Sequence, residues 1–318
     1  EIYTLSLHDA LPIYELISDK RFDLRVNSLP AIYGEKIVMR LLDQSGTKMG
    51  LENLGLFEDD VSVLRRMMKA PHGIFLMTGP TGSGKSTTLY SMLDILNTPD
   101  VNIITIEDPV EYTVDGINQV QVNEKAGLTF AEALRSILRQ DPDKIMVGEI
   151  RDYITAELAI RAALTGHLVL STLHTNDAPS SVMRLTDMGV APFLISSSLV
   201  AVVAQRLLRR LCDRCRKEQP LSAELSASIG VPEGTPVFSP VGCDECRGTG
   251  YRGRIAIVEI MEVDDEIRAM INKGASVEEL RERAAAKGMR FLSQSALRNV
   301  LAGVTSVDEM LGLSVQRD

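Results

Sequence analysis

Residues 79–86 read Gly-Pro-Thr-Gly-Ser-Gly-Lys-Ser and follow the apolar run Ile74-Phe75-Leu76-Met77. Glycines at 79, 82 and 84 allow backbone conformations that a Cβ would forbid, so successive N–H groups can turn inward on one anion. A helix opening at Ser86, Thr87 and Thr88 adds its partial positive charge. Lys85 can then reach β- and γ-phosphates, and Ser86 can ligate Mg2+. The Gly-x4-Gly-Lys-Ser spacing, with a strand before it and a helix after, implies a phosphate cage for a nucleoside triphosphate. Its members are Gly79, Pro80, Thr81, Gly82, Ser83, Gly84, Lys85, Ser86 and Thr87.

Hydrolysis needs a carboxylate to orient water and another near the metal. Ile106-Glu107-Asp108-Pro109-Val110-Glu111 ends an apolar run on acids, and Glu107 is the residue expected to activate water; Asp108 and Glu111 could equally cap turns. Asp143-Lys144-Ile145-Met146-Val147-Gly148-Glu149 reads as a Walker B strand with Glu149 at its carboxyl end, followed by Arg151 and Asp152. Arg135 and Arg139 lie four apart and project together from a helix whose apolar face is Phe130, Leu134, Ile137 and Leu138. With Arg151 they are candidates to neutralise phosphate charge or to contact a neighbouring subunit; the alternative for the helical pair is a solvated face paired with Glu132 and Asp141. His167 and His174 flank the run Leu168 to Leu173 and are read together as a γ-phosphate sensor. Cys212-x2-Cys215 and Cys243-x2-Cys246 form a tetrathiolate zinc pattern, and four thiolates close the coordination sphere, so the expected Zn2+ is structural.

These residues need a scaffold. Four apolar runs, 74–78, 102–106, 144–147 and 168–173, are separated by helical patterns, as expected of a mainly parallel sheet with helices on its faces. Ligands of such sheets sit outside the carboxyl ends of the strands, and each run ends on one of the groups named above. Upstream, Phe22, Leu24 and Val26 alternate with Asp23, Arg25 and Asn27; after a Pro30/Gly34 turn, residues 35–42 read as a second strand. From Ile255 a strand-like run leads to three helices, two of them opened by the capping boxes Ser276-x-x-Glu279 and Ser306-x-x-Glu309.

At 318 residues the chain has room for about two domains. A net charge of −9, 4% aromatic residues and no Trp argue against a nucleic-acid-binding protein. No apolar run reaches the ~18–20 residues of a membrane span, and no signal peptide is evident. Residues 1–13 resemble translated read-through of a sequencing-library adapter and are set aside; the natural protein is then expected to continue upstream. The expected organisation is residues 14–45 as a remnant of a β-rich domain, 46–211 as the ATPase core, 212–250 as the zinc module and 251–318 as a C-terminal helical region.

The phosphate loop, the box Ile-Thr-Ile-Glu-Asp-Pro-Val-Glu-Tyr (104–112), the stretch 139–152 and the His box 164–177 stand in an order that resembles the type II secretion ATPases and type IV pilus assembly ATPases. The resemblance spans roughly residues 20–318. It implies an α/β fold with a RecA-like P-loop core, a partial β-rich N-terminal domain, the tetracysteine module and a helical C-terminus. It also implies ATP hydrolysis with Mg2+, a homo-hexamer, and peripheral association with the cytoplasmic face of the inner membrane through an integral platform protein. Family arginines that reach the nucleotide from the small domain map onto Arg25 and Arg40, and the cysteine module marks the assembly and secretion branches. Two other readings compete: a DNA-uptake or DNA-processing RecA-like ATPase with a zinc ribbon, and a nucleotide-binding scaffold without turnover.

Overall fold

In the computed structural model the described residues are 13–17, 20–43 and 50–315, with side chains described for 26–39 and 50–313. The adapter-like segment, up to residue 12, lies outside them. The chain divides into two units, 1–49 with 111–114, and 50–110 with 115–318.

The first unit carries an antiparallel meander of β1 (Ile13–Ile17), β2 (Lys20–Ala31) and β3 (Gly34–Asp43). The β2–β3 hairpin reverses at Ile32 and Tyr33, so β2 runs through Pro30 and the turn is tighter than the Pro30/Gly34 spacing suggested. In this register Arg25 is the direct partner of Arg40. The positions expected to act together are thus opposed across one ladder; their side chains fall outside the described ones.

The second unit begins with α1 (Glu58–Met68), β4 (Gly73–Thr78), α2 (Lys85–Leu96), β5 (Ile103–Glu107), β6 (Asn118–Gln121) and α3 (Phe130–Ile137). It continues with β7 (Lys144–Val147), α4 (Tyr153–Leu164), β8 (Leu168–Leu173), α5 (Ser180–Asp187), α6 (Pro192–Ser198) and β9 (Leu199–Leu211). After β10 (Lys217–Pro220), α7 (Ala223–Ile229) and β11 (Pro236–Ser239) come β12 (Tyr251–Glu262), α8 (Asp265–Asn272), α9 (Val277–Ala286), α10 (Leu292–Leu301) and α11 (Val307–Val315). The central sheet has the order β12-β9-β4-β8-β7-β5-β6, parallel except for the antiparallel β12–β9 pair. The four apolar runs are β4, β5, β7 and β8, and the expected α/β architecture holds.

Alternation along the strands splits the core between the two faces of the sheet. Ile74, Leu76, Ile104, Ile106, Ile145 and Val147 join α3 and α4 side chains such as Leu134, Ile137, Ala159 and Ile160 in one cluster. The intervening Phe75, Met77 and Met146 are buried on the other side, where Tyr90 of α2 bonds Glu107 of β5. Every parallel strand therefore points its carboxyl end at the same edge, and that edge carries the acids, the histidine and the phosphate loop.

β12 is an edge strand of this sheet, so the α/β layer extends through residue 262 and the helical part starts at α8. Four helices follow among the described residues. Ser276 and Glu279 form the full capping box at α9 (Ser276 N–H to Glu279 Oε2 at 2.7 Å, Glu279 N–H to Ser276 Oγ at 3.2 Å). At α11 only half the box forms. Ser306 accepts from the Glu309 N–H (3.3 Å), but the Glu309 carboxylate binds the guanidinium and backbone N–H of Arg209 instead.

Candidate functional site

The phosphate loop leaves β4 at Thr78, whose hydroxyl accepts the N–H of Thr175 at 2.9 Å. Gly79 has φ 146°, and a Cβ there would stand 2.5 Å from the carbonyl oxygen of Gln205. Gly84, in the left-handed region, caps α2, and a Cβ on it would meet Gln205 Nε2 at 2.8 Å. Gly82, with φ 82°, has nothing within 4 Å of its Cβ position, so the loop packs tightly at both ends and opens in the middle. The Ser83 hydroxyl is buried without a hydrogen-bond partner among the described residues. Ser86 and Thr87 lie in the first turn of α2, where backbone N–H groups have no intrahelical acceptor. An open concavity, orphan donors and a helix N-terminus fit a bound phosphate chain, with the Ser86 hydroxyl available to a metal ion.

Lys85 is buried, and its Nζ donates to Gly79 O (2.7 Å) and Pro80 O (3.1 Å). Burial pushes its pKa down from 10.5 to about 8; the Glu149 carboxylate pulls it back up and the Arg206 guanidinium adds to the depression. Glu149 follows β7, which β8 alone separates from β4, so it lies on the same carboxyl edge of the sheet as the loop that carries Lys85. Glu149 bonds Arg151 and lies 3.5 Å from His174 Nε2. The neighbouring Asp152 caps α4, accepting the Thr155 N–H at 2.8 Å. Glu107 is buried at the end of β5 and accepts from Thr105 (2.6 Å), Gln119 (3.2 Å) and Tyr90.

Lys85, Glu149, Arg151 and His174 are therefore brought together, with Glu107 on the next strand end. Three expected residues are not. His167 stands before β8, at its amino end, where its Nδ1 is 2.8 Å from Ala162 O. A six-residue strand separates the two histidines by about 20 Å, so they do not act as one sensor within a chain. Arg135 pairs with Glu132, and Arg139 lies 3.4 Å from Ser136 Oγ. Both sit where α3 runs back to the amino end of β7, away from the phosphate loop.

Three residues that the sequence did not assign to this site line the same edge. Gln205 is buried in β9, donating to Ser83 O (2.8 Å) and accepting from Thr88 Oγ1 (2.8 Å). The adjacent Arg206 donates to Asn176 O and Oδ1, both at 3.1 Å. Glu259 of β12 accepts the Ala178 N–H at 2.9 Å, and burial holds its pKa above the ordinary carboxylate value. The signal was a Gln-Arg pair interrupting the apolar run 199–208.

The four cysteine Sγ atoms lie within 4.8 Å of one another, at 3.9 Å for Cys212–Cys243, 3.8 Å for Cys215–Cys246 and 3.7 Å for Cys243–Cys246. A tetrahedron with Zn–S bonds of about 2.3 Å has S···S edges of about 3.8 Å, whereas a disulfide needs about 2.05 Å. Backbone N–H groups of Cys243 and Gly250, each 3.1 Å from Cys246 Sγ, suit a thiolate. The donor set fits zinc. The cluster closes the end of the β9–β12 ribbon, and the segment between the cysteine pairs forms the β10–β11 hairpin and α7. Charges around it are largely matched: Arg210 with Asp213, Arg214 and Arg252 with Glu245, Arg209 with Glu309.

A family model for the Type II/IV secretion system protein matches residues 12–312. The type IV pilus assembly ATPase PilB of Thermus thermophilus is 51% identical over 298 residues, covering 92% of this chain and 34% of that protein. The putative type II secretion system protein E of Escherichia coli is 50% identical over 297 residues, covering 93% of this chain and 60% of that protein. The chain thus spans about a third to three-fifths of the length of these relatives. Among solved structures, the pilus retraction motor PilT with bound ADP aligns with a TM-score of 0.70 at 28% identity, over 95% of this chain and 77% of that one. The Legionella pneumophila ATPase DotB shares the fold, with a TM-score of 0.71 at 22% identity, over 96% of this chain and 77% of that one.

Proposed function

The chain belongs to the type II/IV secretion system protein family, and from that premise we propose that it is an ATP-hydrolysing motor subunit for type II protein secretion or type IV pilus assembly. The observation that carries the reading is the convergence of Lys85, Glu149 and His174 beside a loop that is open at Gly82 and bears an unpartnered Ser83 hydroxyl.

In this reading residues 79–87 bind the phosphates through backbone N–H groups, and Lys85 exchanges its bonds to the loop carbonyls for bonds to phosphate oxygens. Mg2+, held by Ser86 with the nucleotide, would neutralise charge on the β- and γ-phosphates. Glu149 faces the position of the γ-phosphate and, with Glu107, orients the attacking water. His174 reads the presence of the γ-phosphate through its contact with Glu149, and Arg151 balances the carboxylate. Arg25 and Arg40 enter as the charges that the family resemblance assigns to the phosphates. Zn2+ on the four cysteines would be structural. We further propose a homo-hexamer associated peripherally with the inner membrane on its cytoplasmic side through a platform protein; among the described residues no helix is long and apolar enough to cross a membrane.

The test is ATP turnover by zinc-loaded protein across a range of concentrations, with its mass in solution followed with and without nucleotide. Turnover should rise with assembly, and Lys85→Ala should abolish it. Wild-type turnover by that variant would refute the assignment.

A further inference from the structure

A buried amide in the middle of a central strand is costly unless both its ends are bonded. β9 is apolar and buried from Leu199 to Ala204 apart from the half-buried Val200, yet its next residue, Gln205, is 1% exposed. Both ends of its amide are used: Oε1 takes the Thr88 hydroxyl of α2 and Nε2 gives to the Ser83 carbonyl of the phosphate loop, each at 2.8 Å. We propose that Gln205 is a positioning residue for nucleotide binding, fixing the phosphate-facing shape of the loop from the neighbouring strand. The inference rests on the nucleotide reading above and deepens it.

The effect of Gln205 is transmitted through one peptide plane. In a trans peptide the carbonyl of residue 83 and the N–H of residue 84 point in opposite directions. Gln205 draws the Ser83 carbonyl toward β9, which turns the Gly84 N–H away from β9 and into the concave side of the loop. Thr88 keeps the amide from rotating, because its hydroxyl occupies the Oε1 end. The glycines confirm how closely the loop is seated on this residue: a Cβ at Gly79 would meet the Gln205 carbonyl oxygen, and one at Gly84 the Gln205 side chain. Gln205 therefore acts through Ser83 and Gly84 on the phosphate.

The experiment compares ADP and AMP with Mg2+, as competitors of a fluorescent ADP, on the full chain with zinc bound. AMP lacks the β-phosphate that the loop grips, so the ratio of the two affinities reports loop shape rather than overall folding. Gln205→Met keeps length and volume while removing both hydrogen bonds, and Thr88→Val removes the hydroxyl that holds the amide. Each variant should lose roughly tenfold in ADP affinity, the scale of one to two buried hydrogen bonds, with AMP affinity changed much less; Thr88→Ser should keep the wild-type ratio. An unchanged ADP-to-AMP ratio in both Gln205→Met and Thr88→Val, or equal losses for the two nucleotides, overturns the proposal. A wild-type chain that binds no ADP instead overturns the nucleotide reading on which it stands.

Discussion

Raising the pH from 7 to 9 should weaken nucleotide binding about tenfold through Lys85 alone. Its ammonium is buried against loop carbonyls, and that burial brings its pKa from 10.5 to about 8, the pull of Glu149 notwithstanding. Phosphate oxygens favour the charged ammonium, so the bound protein keeps the proton across this range while the free protein loses it. The competent fraction of free protein is about 0.9 at pH 7, about half at pH 8 and about a tenth at pH 9. The sign follows: binding takes up a proton, and affinity falls as pH rises through the free-state value. Titration calorimetry of ADP and Mg2+ in buffers of different ionisation enthalpy measures both quantities, and uptake should be about half a proton per site at pH 8. Lys85→Arg provides the control, because a guanidinium does not titrate in this range; its affinity should be lower but independent of pH. A flat wild-type affinity between pH 7 and 9, without proton uptake, would refute the reasoning that Lys85 is desolvated before the nucleotide arrives.

Two further outcomes are expected. Glu149→Gln should bind ATP within a few-fold of wild type and hydrolyse it about 10²–10⁴-fold more slowly, the range for loss of a positioned carboxylate; unchanged turnover would remove Glu149 from the mechanism. Purified protein should carry one zinc per chain by atomic emission, and its removal by a strong chelator should abolish hydrogen-exchange protection in β10 and β11, since zinc can supply on the order of 10 kcal/mol to such a module. Retained protection in metal-free protein would show that the hairpin is held by Leu221, Val231 and Val237 without the metal.

The parts of the site that could be read from sequence are those whose chemistry is local. The phosphate loop is contiguous, its glycines are demanded by its own backbone, and the flanking strand and helix lie within a few residues. Glu149 and His174 were readable because each closes an apolar run, and a parallel sheet sends all such ends to one edge. His167 misled for the same reason in reverse. It also borders β8, but at the amino end, and adjacency to a strand does not say which edge of the sheet a residue occupies. Arg135 and Arg139, four apart, were expected to project together from one helix, but α3 ends at Ile137 and Leu138 caps it, so Arg139 lies in the turn beyond; residue spacing alone does not say where a helix stops.

Contacts made across long stretches of chain were not readable at all, and they join the site to the rest of the second unit. The segment after β8 gives almost every residue to a different neighbour. His174 meets Glu149, the Thr175 N–H meets Thr78, Asn176 meets Arg206, Asp177 pairs with Arg281 of α9, and the Ala178 N–H meets Glu259 of β12. The last two cross 104 and 81 residues of sequence. Neither Arg281 nor Glu259 stands out locally, one being a charge on an amphipathic helix and the other an acid in a mostly apolar strand. Yet Glu259 is 3% exposed, and a buried carboxylate is tolerated only where donors converge on it. It also receives the Leu292 N–H at the start of α10, at 3.4 Å. Through Asp177 and Ala178 the segment that carries His174 is thereby bonded to Arg281 of α9 and Glu259 of β12, and through Glu259 to the start of α10.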